Sequence, residues 1–510
     1  MIVLKKKGKY YLLILFLIIF YYLYHYLNQP KNIDNLRLNI LETFDLTNQD
    51  TTELKRIFLP FSFSDILDSK IKYSLLDFEK IKKTAHPEVL KEIEEEVFNN
   101  KKILAKEIQD VGTLNIYKKN DLKLQILKEL KKIKTFSIDK LYKNQNLGFL
   151  YQLKDTKNSD YGNLTIKRYE TKYPFLYGLN LNYPGSAYFA NDSNSLYLIS
   201  ASGIIAKSDM THGELDFKQI RNNTNDFINS QQFGQANWFS FKDALIDDGN
   251  MYLSFTNEIK PYCWNISIIK ARLNKSYLDF KPFFTPEVCY HSNRKFINFS
   301  GHITGGRIIS LDKDSLALTI GTFNQNQDAK DIDSIFGRIL KLNKEGEVIK
   351  VISKGHRNPQ GLTLMKNGEF LIETEHGPWG GDEVNIISNN KLEEQDFGWP
   401  TVSYGKDKDV IYSDSHAKYG FIEPTQVFVP SIGISEIREA PWDENTFFFG
   451  SMAKGTLYQL RFNKNSSTNI ESQINFGERV RDIAIFDGKL YLFLETSASI
   501  VEISNNSKIN

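Results

Sequence analysis

The sequence lacks several features that would assign it at once to a class of protein. Its 510 residues include only two cysteines and 14 prolines, which excludes a disulfide-rich scaffold, a Cys-based zinc site and a proline-rich or collagen-like chain. Neither sign of charge is in excess, since 64 Lys and Arg residues stand against 62 Asp and Glu residues. This balance argues against a dedicated nucleic-acid binder and against an acidic disordered protein.

The sequence does contain enough apolar material for a large core. Hydrophobic residues make up 41% of the chain and aromatic residues 13%, with 36 Phe and 26 Tyr. A chain of this length is too long for one small domain. We therefore expect either several domains or one large repeat architecture with an additional segment.

Only one run of the sequence is apolar enough to span a membrane. Four lysines between residues 5 and 9 precede an apolar run over residues 10–27, which is just long enough to cross a bilayer as a helix. The basic residues predict a cytoplasmic N-terminus and an outward-facing body. The run ends in tyrosines without a small-residue cleavage site, which favours an uncleaved signal anchor over a cleaved signal peptide.

The sequence therefore predicts a single-pass protein of the cell (inner) membrane whose C-terminal body faces the periplasmic or extracellular side. Cys263 and Cys289 would then lie in an oxidising environment, where a disulfide and two free thiols both stay open as outcomes. We divide the chain into a signal-anchor transmembrane helix (1–28), a membrane-proximal, partly helical region (29–150) and a repeat domain (151–510). Helical spacing of apolar residues over 87–109 and 121–133 supports the second assignment.

From about residue 185 onward, short strands separated by Gly, Asn and Asp turns replace the helical spacing. A weak repeat occurs here, in which a polar turn precedes a strand of aromatic and aliphatic residues. The copies cover residues 194–198, 249–253, 314–318, 368–372, 445–449 and 488–492, with partner strands at 266–270, 337–342 and 455–460. Their spacing brackets the blade length of β-propellers. We expect an all-β, six-bladed β-propeller, with a pair of β-sandwich domains as the alternative.

Two neighbouring stretches hold the densest group of polar residues. Residues 355–362 read Gly-His-Arg-Asn-Pro-Gln-Gly-Leu, and residues 375–385 read Glu-His-Gly-Pro-Trp-Gly-Gly-Asp-Glu-Val-Asn. Gly-Pro and Gly-Gly favour tight turns whose carbonyl groups can point at a ligand. Asp382 and Glu383 offer the hard oxygen ligands that Ca²⁺ prefers, and Arg357 can form paired hydrogen bonds with a carboxylate or phosphate.

These stretches, together with Phe-Gly-Trp-Pro at residues 397–400, resemble the signature of the soluble glucose/sorbosone dehydrogenases. Residues 301–308, 336–346, 430–435 and 479–482 resemble further segments of that family, in the same order. The resemblance implies a six-bladed propeller that uses pyrroloquinoline quinone (PQQ) and Ca²⁺. It also implies that the chain is a quinoprotein oxidoreductase acting on sugars.

The resemblance further implies roles for single residues. His302 would be the general base that takes a hydroxyl proton at the anomeric carbon of a sugar, and Arg357 would stabilise the charge that develops on the quinone. The residues expected to hold the cofactor are Asn358, Arg479, Arg481 and, as a weaker candidate, Lys454. The residues expected to bind Ca²⁺ are Gly377, Pro378, Asp382, Glu383 and Phe397, with carbonyl ligands from the first two and the last.

Several positions depart from the family pattern, and three of them bear on activity. Gly301 stands where an acidic residue often precedes the histidine, Ala453 where a lysine is usual, and Trp238 near an expected glutamine. The main prediction is a membrane-anchored, PQQ-dependent dehydrogenase of aldose-type sugars or related alcohols, which passes electrons to an unknown acceptor. The alternative is a catalytically degenerate, calcium-stabilised propeller that binds a carbohydrate or protein partner, and a calcium-assisted lactonase is a third class.

Overall fold

The computed structural model of the chain describes residues 151–153, 164–171, 186–211, 215–228, 240–274, 277–291, 300–326, 328–331, 333–391, 393–407, 410–462, 468–495 and 499–505. The predicted signal anchor and the predicted partly helical region lie outside these residues and stay predictions. No helix among the described residues is long and apolar enough to cross a membrane. The described residues belong to one compact unit.

The described chain begins with two paired strands and then forms the first two sheets, blades 1 and 2. The opening strands are β1 (Tyr151–Leu153) and β2 (Leu164–Thr171). Blade 1 contains β3 (Ala187–Asn191), β4 (Ser195–Ser200), β5 (Ile205–Asp209) and β6 (Phe217–Asn222). Blade 2 contains β7 (Phe241–Asp247), β8 (Asn250–Lys260) and β9 (Cys263–Arg272). Three short strands extend these blades: β10 (Tyr277–Leu278) beside β6, and β11 (Lys281–Phe284) and β12 (Tyr290–His291) beside β9.

Blades 3 and 4 carry most of the polar signature stretches. Blade 3 contains β13 (Gly305–Asp312), β14 (Ser315–Ile320), β15 (Arg338–Asn343) and β16 (Val348–Lys354). Blade 4 contains β17 (Pro359–Leu364), β18 (Phe370–Glu375) and β19 (Asp382–Ser388). The following short strands are β20 (Gln395–Asp396) beside β16, the pair β21 (Val402–Ser403) and β22 (Ile411–Tyr412), and β23 (Gln426–Phe428) beside β19.

The last two blades complete the ring. Blade 5 contains β24 (Ile434–Glu439), β25 (Thr446–Ser451), β26 (Thr456–Phe462) and β27 (Thr468–Asn475). Blade 6 contains β28 (Val480–Phe486), β29 (Lys489–Leu494) and β30 (Ser499–Asn505). Short 3₁₀ helices cover Thr224–Asp226, Asp328–Lys330 and Ala417–Tyr419.

The ring closes because β2 adds to the last blade. It pairs antiparallel with β30, from Leu164 opposite Asn505 to Glu170 opposite Ser499. The sheet of blade 6 therefore combines two strands from the beginning of the described chain, β1 and β2, with three strands from its end. This pairing covers the edge of β30, which an open propeller would leave exposed.

Each blade has one innermost strand beside the axis, and these strands contact one another in chain order. They are β3, β7, β13, β17, β24 and β28, and the last of them contacts the first, which closes the ring. This ring confirms the predicted six-bladed β-propeller and excludes the pair of β-sandwiches. Each of the six predicted repeats falls on the second strand of its blade, namely β4, β8, β14, β18, β25 and β29. The partner strands that we predicted match β9, β15 and β26.

The hydrophobic core consists of layers between neighbouring blades. Between blades 5 and 6, Phe448 and Leu457 pack with Ile483 and Leu492. Between blades 4 and 5, Phe447 and Phe449 belong to a second layer. Because blade 5 is covered on both faces, successive residues of β25 are all buried, and such strands need continuous apolar runs. The high phenylalanine content follows from this arrangement.

Candidate active site

The third residues of the innermost strands meet at the axis of the propeller. Arg307 of β13 places Nη1 3.1 Å from Asp243 of β7, 2.7 Å from Glu436 of β24 and 2.6 Å from Asp482 of β28. The Arg307 Nε group also donates to the carbonyl of Gln360 in β17. All of these strands therefore begin at the same end of the ring, which we call the upper face. Sequence reasoning missed this axial cluster, because its members are far apart along the chain.

The predicted site residues collect at the upper face. His302 lies just before β13, Arg357 and Asn358 just before β17, and Arg479 just before β28. Gly377 and Pro378 lie in the turn between β18 and β19, and Lys454 in the turn between β25 and β26. The predicted site residues therefore lie at one face of the ring, although they come from four different blades, 3 to 6.

β-Bulges near the beginning of the innermost strands change the direction of the side chains at this face. The pairing register shifts near the beginning of β7, β13, β17, β24 and β28, that is, in each blade except blade 1 among the described strands. A β-bulge bends the strand and turns a side chain away from simple alternation. Lys242 of β7 and Arg481 of β28 both lie at such a bulge, one position before an axial carboxylate.

His302 is exposed at the upper face. Its backbone N–H lies 3.4 Å from the Ser300 hydroxyl, and the carbonyl of the preceding Gly301 accepts a hydrogen bond of 3.1 Å from the buried Lys242. The surrounding protein, and then the charges of Lys242 and Arg481, lower the pKa of His302, while Glu495 opposes this shift. Solvent on the open side of the ring limits the effect. The histidine is thus held neutral, the form in which it can accept a proton.

Arg357 is held above the turn between β18 and β19. Its Nη1 group donates to the carbonyl of Gly377 at 2.9 Å, and its guanidinium lies 5.4 Å from the ring centre of Trp399. Burial lowers the pKa of Arg357, while Asp407, Glu375 and Asp382 oppose that shift. The Arg357 Nε–H has no hydrogen-bond partner among the described residues, so one buried donor is left for a ligand.

Asn358 has its side chain turned toward blade 3. The Asn358 carbonyl oxygen Oδ1 accepts from the Gly305 N–H at 3.2 Å and from the Gln360 amide at 3.0 Å. These two contacts fix the side chain between the His302 segment and β17. Its predicted contact with the cofactor stays a prediction.

Arg479 and Arg481 share one carboxylate. Arg479 Nε lies 2.7 Å from Glu495, and Arg481 Nη2 lies 3.0 Å from both oxygens of the same group. Burial by itself would raise the pKa of Glu495, but Arg481 and then Arg479 hold it at about 2. Glu495 is therefore ionised and neutralises one of the two arginine charges. The Arg481 Nε–H has no hydrogen-bond partner in the described part of the chain.

Lys454 lies in an exposed turn, where its backbone N–H donates to the Ser451 hydroxyl at 3.0 Å. The structure gives no side-chain contact that draws it toward the arginines within the described ranges. Its assignment to the cofactor remains a prediction.

Asp382 holds the turn above β24 in place. One of its oxygens accepts the backbone N–H groups of Ile432, Gly433 and Ile434 at 2.7 to 3.0 Å. The other accepts the Gly377 N–H at 3.2 Å. These contacts give Asp382 a structural role that sequence reasoning did not foresee, and its predicted role as a calcium ligand stays a prediction.

Glu383 and Phe397 line a small cavity beside this turn. Other residues around the cavity include Glu375, Gly377 and His416, and its volume is about 10 Å³. That is roughly the room that one water occupies. His416 is buried, with its Nε2 atom 3.7 Å from Glu383.

A buried acidic cluster lies next to Arg357. Glu373, Glu375 and Glu383 converge on the Asn385 amide nitrogen at 3.0, 3.2 and 3.4 Å. Burial, and then the charge of Glu375, raise the pKa values of Glu373 and Glu383 well above their usual range. The cluster therefore favours proton binding at Glu373 and Glu383, while Glu375 accepts the backbone N–H of Arg357.

His356 completes this support. Its Nδ1 atom lies 3.1 Å from Glu375 and its Nε2 atom 2.8 Å from the Ser353 hydroxyl. Sequence reasoning assigned no role to His356 and overlooked Glu373. The alternation of Glu373 and Glu375 on one strand was the available signal, since alternate residues share a face.

Comparison with known proteins identifies the family. The family model described as Glucose / Sorbosone dehydrogenase matches residues 241–502, just over half of the chain. Aldose sugar dehydrogenase YliI of Escherichia coli is 26% identical over 40% of this chain and 61% of that protein. Quinoprotein glucose dehydrogenase B of Acinetobacter calcoaceticus is 35% identical over 18% of this chain and 21% of that protein. The chain thus spans less than two thirds of the length of these curated relatives.

Solved structures with the same fold are more distant in sequence. The apo form of the soluble aldose sugar dehydrogenase of Escherichia coli has a TM-score of 0.51 at 20% identity, covering 63% of this chain and 96% of that one. The PQQ-bound aldose sugar dehydrogenase of Streptomyces coelicolor has a TM-score of 0.50 at 18% identity, covering 67% and 98%. At such identities the likeness supports the propeller fold alone.

Proposed function

Because the chain belongs to the glucose/sorbosone dehydrogenase family, we propose that it is a quinoprotein oxidoreductase that oxidises aldose-type sugars or related alcohols with PQQ and Ca²⁺. The observation that carries this proposal is the gathering of His302 and three arginines at one face of the ring. A neutral base beside several cations suits the oxidation of an alcohol by an anionic cofactor.

The residues present fit PQQ. The cofactor carries three carboxylates, and the buried Nε–H groups of Arg357 and Arg481 lack partners among the described residues. A buried donor without an acceptor is costly, so an anion at this place would satisfy both. Arg479 would add a further cation at the rim, where its side chain is 27% exposed.

The residues also fit Ca²⁺, which prefers several hard oxygen ligands. The Gly377 carbonyl already accepts from Arg357, and it retains a second lone pair, while Pro378 offers the adjacent carbonyl. Glu383 and the Phe397 carbonyl would form a second oxygen-rich position next to the small cavity.

The mechanism assigns separate tasks to the residues of this chain. His302 accepts the hydroxyl proton of the sugar, for which its lowered pKa keeps it unprotonated. Arg357 places its positive charge where negative charge develops, and Glu375 and the Gly377 carbonyl hold it there. When bound, PQQ would supply a quinone able to accept a hydride. The electron acceptor that follows is unknown.

We further propose that the propeller is anchored in the cell membrane through residues 10–27 and faces the periplasmic or extracellular side. Cys263 and Cys289 form a disulfide in the structure, which is the outcome expected of an oxidising compartment. Cysteine labelling of an intact cell, at an engineered site in the propeller and at another before residue 10, would report the orientation.

A PQQ titration of the detergent-solubilised full chain, with and without Ca²⁺, tests the function. We expect a saturable change in cofactor absorbance that needs Ca²⁺, and reduction of an artificial acceptor with some aldose. Arg481→Leu should weaken PQQ binding, whereas Lys313→Leu, at an exposed position, should not. Calcium-dependent stabilisation without any PQQ binding would overturn the proposal in favour of the degenerate, partner-binding propeller.

A further inference from the structure

Lys242 is a buried cation beside the predicted base, and the proposed function does not account for it. It lies on β7 with 6% of its surface exposed, and its ammonium donates to the Gly301 carbonyl at 3.1 Å. Lysine is almost never fully buried without a partner, because removing the ammonium from water is costly. Its partner here is the peptide group that directly precedes His302.

The fold makes room for this side chain. The register shift between Phe241 and Asp243 turns Lys242 toward the upper face. Gly306 lies directly against its stem, since a Cβ atom at Gly306 would come within 2.5 Å of the Lys242 Cβ. Gly306 also has φ +112°, which other residues rarely adopt. The second glycine of Gly305-Gly306 thus serves the placement of Lys242.

We propose that Lys242 is a positioning residue for His302: it fixes the Gly301–His302 peptide and keeps the imidazole in its neutral form. This inference rests on the proposed role of His302 as a base. It also explains how the chain works with Gly301 in place of an acidic neighbour, because the orienting contact comes from blade 2 rather than from the preceding side chain.

The charges around Lys242 are consistent with this role. The charged groups that act on the Lys242–His302 pair from neighbouring elements are Arg481 on β28 and Glu495 after β29. Burial, and then Arg481, lower the pKa of Lys242 to about 7. Below that pH the ammonium disfavours a second cation on His302.

Three variants separate charge from position. Lys242→Met removes both, Lys242→Gln keeps a donor for the Gly301 carbonyl without the charge, and Lys242→Arg keeps the charge. The first readout is NMR titration of the histidine ring signals in the cofactor-free protein, with His302 assigned by comparison with His302→Gln. We expect the apparent pKa of His302 to rise by about one unit in the Met and Gln variants and by less in the Arg variant.

The second readout is activity with PQQ and an aldose. In Lys242→Met we expect kcat to fall about tenfold, because the base is less well placed. The acid limb of kcat/KM should move to higher pH in the Met and Gln variants by the same shift as the NMR titration. Lys242→Gln should lose less in kcat than Lys242→Met.

The outcomes distinguish this inference from the proposed function. An unchanged His302 titration in both the Met and Gln variants would overturn it, whether or not the wild type is active. A wild type that is inactive with PQQ, together with the expected NMR shift, would overturn the proposed function, while the effect of Lys242 on His302 would stand. If Lys242→Met unfolds, Lys242→Gln and Lys242→Arg give the same comparison in folded protein, checked by circular dichroism.

Discussion

Arg307 is the residue on which the axis of the propeller depends. Its guanidinium lies between Asp243, Glu436 and Asp482, and each of the four side chains is at most 4% exposed. Burial raises the pKa of Asp243 to about 6 and that of Glu436 to about 7, although Arg307 opposes both shifts. Breaking a buried ion cluster by removing one partner costs about 3–5 kcal/mol.

We therefore expect Arg307→Leu to lower the free energy of unfolding by about 3–5 kcal/mol at pH 7.5. The loss should be smaller at pH 5. A carboxyl group whose pKa is raised in the folded protein binds protons more readily there than in the unfolded chain, so its effect favours folding in acid and weakens as pH rises through about 4 to 7. Without Arg307 this dependence becomes steeper.

Urea unfolding of Arg307→Leu and of Lys313→Leu, at pH 5 and pH 7.5, checks this prediction. Lys313 is exposed, so its variant should match the wild type at both values. An equal loss of stability at the two pH values would show that the carboxylates do not govern the effect.

His302 gives the residue-scale prediction for activity. His302→Gln should lower kcat by about 10²- to 10⁴-fold, the usual contribution of a positioned acid or base. Thermal stability and PQQ affinity should change little, because the His302 side chain is exposed. Steady-state kinetics with the exposed His291→Gln as a control provide the measurement, and retained turnover in His302→Gln would mean that another group is the base.

At the scale of the strand, the disulfide ties a loop to β9. Cys263 begins β9, and Cys289 lies just before β12, which pairs with β9 through Tyr290 opposite Trp264. The bond closes a loop with a sequence separation of 26 residues. In the chain-entropy model, a loop of this size stabilises the folded state by about 3–4 kcal/mol.

The double variant Cys263→Ser, Cys289→Ser should accordingly show a lower melting temperature, by several degrees, in calorimetry. Adding a reductant to the wild type should lower the transition toward that of the variant and leave the variant unaffected. If the reductant lowered the melting temperature of both proteins equally, the effect would not come from this disulfide.

The strands also show what the sequence could and could not predict. The six repeats identified the second strand of every blade, because residues such as Phe447 and Leu492 form a hydrophobic pattern that depends on local burial. The bulges that aim Lys242 and Arg481 were not visible in that pattern, since alternation assumes a regular strand. Glu373, Glu436 and Glu495 escaped notice because a buried carboxylate is recognised by its partners, which lie on other blades.

On the scale of the whole molecule, ring closure is the property that the repeats did not disclose. The sequence predicted where blades lie, but the pairing of β2 with β30 joins segments at opposite ends of the domain. Leu164 and Ile166 of β2 belong to the hydrophobic layer of blades 5 and 6. Burying such side chains contributes about 1.5–3 kcal/mol each.

A chain that lacks residues 1–171 should therefore fail to form a stable propeller, whereas a chain that lacks only residues 1–145 should fold. The first loses β2 and its apolar contacts, and the second retains them. Size-exclusion chromatography and calorimetry of the two proteins compare them directly. A cooperative transition at the same temperature in both would show that β2 is dispensable and would also move the predicted domain start.

The pairing of β2 with β30 also determines when blade 6 can be completed during synthesis of the chain. Tyr169 of β2 and Glu502 of β30, whose side chains meet, are 333 residues apart. At about 5–20 residues per second, a ribosome needs on the order of 20–70 s to synthesise that separation. Throughout that interval the edge of β2 that later receives β30 has no strand to pair with. Blade 6 therefore stays incomplete in the nascent chain until its last strand emerges, and the dependence of the chain on chaperones should be greatest during that interval.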